Sequence, residues 1–271
     1  MIQFFGQLFS YGFIVRSIVA GSLIALCCAL LGVPLVLKRY SMIGDGLSHV
    51  GFGAIAIAMA LNASPLAVAI PVTVISSFLL LRVSSNSKIK GDAQIALIST
   101  SALAIGILVT SMTSGLNTDV NAYLFGSVLS LGKTDVIVSV ILAVFVIAFF
   151  VLFYNKIFAV TFDETFSSSS GIRTGFFNGA LAVFTSLTIV IGMRLMGAMM
   201  ISSLIIFPAL SSMRVFKSFK SVIISSSISS VICFFVGIAL SFAFSSPAGA
   251  TIVVTNLVVF IIFMIIGRIK R

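Results

Sequence analysis

The chain has 271 residues, of which 60% are hydrophobic and 8% charged, with a mean hydropathy of +1.29. About a quarter of the residues in a soluble domain carry charge, so this composition excludes a cytosolic enzyme, a secreted domain and a disordered tail, and makes lipid the solvent. The net charge of +10 is scattered between apolar runs, which is what orientation in a bilayer requires and not what a nucleic-acid-binding face looks like.

From the N-terminus, no basic residue precedes Arg16, and the apolar run that follows is longer than a signal-peptide core. It reads as a first span rather than a cleaved signal. With about 20 apolar residues per crossing, division at charges, prolines and polar clusters predicts nine transmembrane helices, at 14–37, 41–61, 65–81, 93–113, 134–153, 175–193, 197–213, 221–244 and 248–267. The expected fold is all-α and polytopic, one transmembrane domain over 1–271. Pro34, Pro71 and Pro208 fall inside these spans, where neighbouring helices can satisfy the freed backbone groups. Cys27, Cys28 and Cys233 also fall inside them, as small hydrophobes rather than a disulfide framework.

The basic residues orient the nine spans. With the N-terminus outside and the C-terminus in the cytoplasm, thirteen of the sixteen Lys and Arg lie inside, and only Arg16, Lys133 and Arg194 lie outside. Two connecting stretches are long. The outer one, 114–133, carries Tyr123 and Phe125 and is expected to lie as short helices on the membrane surface. The inner one, about 154–174, holds Asp163 and Glu164, a third of all acidic residues, and is expected to protrude into the cytosol. The serine tract at 225–230 is expected to serve helix packing.

Catalytic motifs are missing: the sequence contains no HExxH, CxxC or G-x-S-x-G. Gly126 to Thr134 imitates a phosphate-binding loop but has five residues between its glycines where that loop has four, and it lies outside. The chain is therefore expected to bind no cofactor and to hydrolyse no nucleotide itself. Met193, Met196, Met199 and Met200 read as gap fillers rather than soft metal ligands.

One pair stands out at the start of the second span. Asp45 and His49, the only histidine, are four residues apart, which stacks them on one helical face. A carboxylate within a bilayer costs about 2.5 to 3.5 kcal/mol, and imidazole with carboxylate suits Zn²⁺ or, with more oxygen ligands, Mn²⁺. Two readings stay open on spacing alone. Either the pair lines an ion path, or Asp45 caps its helix and His49 bonds a neighbouring carbonyl.

The segment Gly32 to His49, with a glycine, an apolar run, Lys38-Arg39 and then Gly44-Asp45-Gly46-Leu47-Ser48-His49, resembles the permeases of ABC-type zinc and manganese importers. Asn121 to Ser127, Gly197 to Ala209 and Pro247 to Val253 are similar to further segments of that family, in the same order. The resemblance implies a type-II importer-like homodimer, two cytoplasmic ABC ATPase subunits that carry the ATP, and an extracytoplasmic metal-binding protein, all in or on the cell's inner membrane. It assigns Asp45 and His49 to a transient metal path. It places the ATPase-coupling helix at 163–172, with Asp163 and Gly171 matching a D-P-E-x-A-x-x-x-G pattern, Glu164 one place early, Ser167 in place of alanine, and Ile172 following. Thr165 and Ser167 to Ser170 are weaker helix formers than the alanines they replace. Imidazole's preference favours zinc as cargo, with manganese or iron as the alternatives. A secondary cation carrier is the competing class, but it would need more intramembrane acids than Asp45.

Overall fold

The computed structural model describes residues 12–86, 91–113 and 132–269. Apart from Gly132 and Lys133, the outer stretch with Tyr123, Phe125 and the Asn121–Ser127 segment lies outside the described residues. Eleven helices are described: α1 (Gly12–Leu37), α2 (Ile43–Ala60), α3 (Pro65–Asn86), α4 (Gly91–Met112), α5 (Lys133–Leu152), α6 (Tyr154–Phe162), α7 (Glu164–Ser169), α8 (Thr174–Met196), α9 (Ala198–Val215), α10 (Phe219–Phe244) and α11 (Ala248–Ile269). The nine long ones coincide with the nine predicted spans. Eight are long and apolar enough to cross a bilayer, and α3 adds a shorter apolar stretch, Pro65–Leu80. The fold is an all-α polytopic membrane protein with eight to nine candidate spans. Helices are the only open-ended way to cross a bilayer, because each backbone N–H must find its carbonyl within the segment.

Helix α1 runs through the centre of the bundle, packed by α5, α8, α9 and α10. Small residues make this possible: Ala20, Ala25, Cys27, Cys28 and Ala29 are wholly buried, and backbones approach closely only where side chains are small. The cysteines are free thiols inside this packing. Helix α2 lies against α3, α4 and α9. At its crossing with α4, a Cβ on Gly53 would stand 2.6 Å from the carbonyl oxygen of Ala102, so only glycine fits.

The serine tract at 225–230 does knit helices together. Ser230 donates to the carbonyl of Ala25 at 2.9 Å and Ser226 to that of Ala29 at 3.5 Å, tying α10 to α1, while Ser212 of α9 donates to Ser225 at 3.1 Å. Such bonds each contribute about 0.6 kcal/mol within a membrane. At the end of the bundle where α8 stops, Arg194 pairs with Asp135 at 3.1 Å, and Asp135 also accepts from the backbone of Gly132 at 3.0 Å, joining the ends of α5 and α8.

The inner stretch is exposed at 162–166 and 168–171, but its first part departs from expectation: α6 packs on α1, α5 and α8. Its Ile157, Val160 and Thr161 recur at helical spacing, and all three are buried. That short stripe, diluted by Asn155 and Lys156, is too brief to register as a span but long enough to dock.

Candidate metal path and coupling segment

Asp45 and His49 project from the first two turns of α2. The N-cap position of this helix is Met42, with no side-chain cap bond, so Asp45 sits in the third helical position and does not occupy the cap. His49 Nε2 lies 3.6 Å from Asp45 Oδ1, and Ser202 Oγ of α9 donates to the same oxygen at 3.5 Å. His49 Nδ1 is buried without a hydrogen-bond partner. The Asp45 side chain is 40% exposed and that of His49 23%, whereas their neighbours Leu47 and Ser48 are sealed in the core. Among the described residues there is no group of three or more His, Cys, Asp or Glu able to hold a metal. The arrangement offers one imidazole, one carboxylate and one hydroxyl, too few for a resident ion and suited to a passing one.

The candidate coupling segment is built from its two ends. Asp163, extended, caps α7 by accepting from Phe166 N at 2.8 Å. Gly171 closes it with φ of 81°, a left-handed position that costs other residues about 1–2 kcal/mol. Gly171 N donates to Ser168 O at 3.1 Å and Ile172 N to Ser167 O at 3.0 Å, the paired bonds of a Schellman ending. Ile172 then packs against the core. The serines weaken α7 in propensity, yet the caps hold it at six residues. Ser167, where the family pattern has alanine, is fully buried and its hydroxyl has no partner.

Glu164 faces a partner that sequence reasoning counted only toward topology. Its Oε2 lies 3.4 Å from Lys38 Nζ, and its Oε1 accepts from Asn178 Nδ2 at 2.8 Å. Lys38 also donates to Asn178 Oδ1, closing a three-residue ring. Burial pushes the Lys38 ammonium below the ordinary lysine value, and the charge and hydrogen bond of Glu164 oppose that shift. The structure thus brings Asp45 and His49 together, brings Asp163, Glu164, Gly171 and Ile172 together, and adds Ser202, Lys38 and Asn178. Nothing in the sequence marks Ser202 among so many serines; Lys38 carried the signal of a basic residue at a helix end.

A bundle of eight to nine apolar helices with a short capped helix at one end and an ionisable pair in the first turns of α2 defines a multi-pass membrane protein. The chain matches the model of the ABC 3 transport family over residues 10–267. It belongs to that family, the permeases of ABC-type manganese and zinc importers. It is 26% identical over 272 residues to the manganese import system permease protein ScaB of Streptococcus gordonii, covering 100% of this chain and 98% of that one. It is 26% identical over 246 residues to the high-affinity zinc uptake system membrane protein ZnuB of Haemophilus influenzae, covering 91% and 94%. The structure of PsaBC from Streptococcus pneumoniae in complex with Fab superposes with a TM-score of 0.86 and 25% identity, covering 97% of this chain and 95% of that one. Family membership leaves the secondary-carrier alternative without support.

Proposed function

We propose that two copies of this chain form the membrane path of an importer for a divalent transition metal, zinc or manganese, lined in part by Asp45 and His49. The observation that carries this reading is the 40% exposure of the Asp45 carboxylate. A carboxylate cannot face lipid at such exposure without a cost of several kcal/mol, so it faces water or a second copy. Ion and path fit each other, since a site that binds with few ligands releases its ion. The likeness to ScaB and ZnuB supports both metals equally; the lone imidazole favours zinc, while the Asp45 and Ser202 oxygens accept manganese.

The partners follow from the importer class. An extracytoplasmic binding protein delivers the metal and sets its selection, and two cytoplasmic ATPase subunits hold the ATP. The N-terminus lies outside and the C-terminus in the cytoplasm, so that α6 and α7 meet the ATPase. Phe166, 67% exposed on α7, supplies an apolar contact between the acidic start of that helix and Gly171. Deleting the gene and measuring uptake of radiolabelled zinc and manganese tests the reading. Loss of uptake of one or both metals, restored by the wild-type gene, is expected; unchanged uptake of both contradicts it.

A further inference from the structure

We propose that Lys38 is the positioning residue through which the coupling segment grips the helical hairpin that carries Asp45 and His49. This rests on the importer reading above. Glu164, the first residue of α7, reaches across to the end of α1 and meets Lys38, while Asn178 of α8 bonds to both. Lys38 is held at the very close of α1. Its own N–H bonds Pro34 O at 3.0 Å, Arg39 N bonds Val36 O at 3.1 Å and Tyr40 N bonds Leu35 O at 2.9 Å.

That close is a Schellman ending with Arg39 in the left-handed position, φ 64°. Glycine usually stands there, and another side chain in it costs about 1–2 kcal/mol. The turn is therefore strained, and strain of this kind persists only where its surroundings hold it. Helix α2 begins five residues after Lys38, and Asp45 comes two residues later. A displacement of α7 pulls on Lys38, and through the α1–α2 turn it moves the first turn of α2, where Asp45 sits. The warrant for coupling is an element with two states that both sites bias, rather than proximity alone, and the strained α1–α2 turn is that element in this proposal.

The Lys38 side chain is 11% exposed and that of Glu164 is 54% exposed. Removing the lysine therefore leaves a carboxylate that water can solvate, whereas removing the glutamate would strand a buried ammonium. Lys38→Met is thus the variant that separates transmission from folding.

The test reconstitutes the permease with its ATPase and binding protein in proteoliposomes and reads metal imported per ATP hydrolysed. Lys38→Met is expected to melt within a few degrees of wild type and to retain ATPase association and basal hydrolysis. Its metal import per ATP should fall about fivefold to tenfold. Lys38→Arg, which keeps charge and reach, should recover most of the ratio. Normal coupling in Lys38→Met, or equal loss in Lys38→Arg, overturns the inference, as does loss of ATPase association in Lys38→Met, which would make the contact one of assembly. If the wild-type complex itself imports no metal, the importer reading falls and this inference falls with it.

Discussion

Two residues show how chemistry and packing pull apart at single positions. Ser167 is buried with an unbonded hydroxyl, which costs about 1–3 kcal/mol for an orphaned polar group, and serine is a poorer helix former than alanine. Ser167→Ala is therefore expected to stabilise the purified permease by about 1 kcal/mol, read as a higher melting temperature, with uptake unchanged. A lower melting temperature would mean that the hydroxyl has a partner. His49 presents the opposite case, since its imidazole is 23% exposed with Nε2 beside the Asp45 carboxylate, where a passing ion can meet both. His49→Ala should insert and bind the ATPase normally while metal uptake falls by tenfold or more. The pairing of these positions with their surroundings was only half legible: the four-residue spacing of Asp45 and His49 is written in the sequence, but Ser202 comes from a helix 157 residues away, and no local pattern announces it.

At the scale of the element, α7 is fixed by its ends. Asp163, Gly171 and a helix between them were legible only through the resemblance, which put that helix at 163–172; the structure adds why those residue types stand there, a cap and a left-handed position, and shortens the helix to Glu164–Ser169. Gly171→Ala places a side chain at φ 81°, where the cost is steric and conformational, about 1–2 kcal/mol. It is expected to weaken co-purification of the ATPase and to lower import while the spans remain inserted and dimeric. Reversing the charges of Asp163 and Glu164 together should have a stronger effect, since it removes the cap and strands Lys38. Unchanged ATPase binding and import in both variants would place the contact elsewhere. The docked face of α6 was missed for a related reason: its three buried residues span only five positions, less than two turns, too short for periodicity to declare itself.

Across the whole molecule, hydropathy revealed the nine long helices among the described residues but not which side of each faces inward. In a membrane both faces are apolar, so the contrast that marks a soluble core is absent. In α4, Leu108 is 59% exposed while Thr110 is buried, the reverse of a water-soluble helix; the threonine satisfies itself on the Gly106 carbonyl at 2.5 Å. What the sequence does carry at this scale is the bias of basic residues. Reporter fusions at Asn62 and Ser246 should report outside, and those at Ser85, Ser168 and Arg271 cytosolic; an external C-terminus would overturn the orientation. Import along this path depends on whether Asp45 meets the metal. Asparagine keeps the size and hydrogen bonding of aspartate and caps a helix as well, removing only the charge. At matched membrane expression and with the ATPase still bound, Asp45→Asn should lose radiolabelled zinc and manganese uptake; wild-type uptake of both metals by Asp45→Asn would contradict the account.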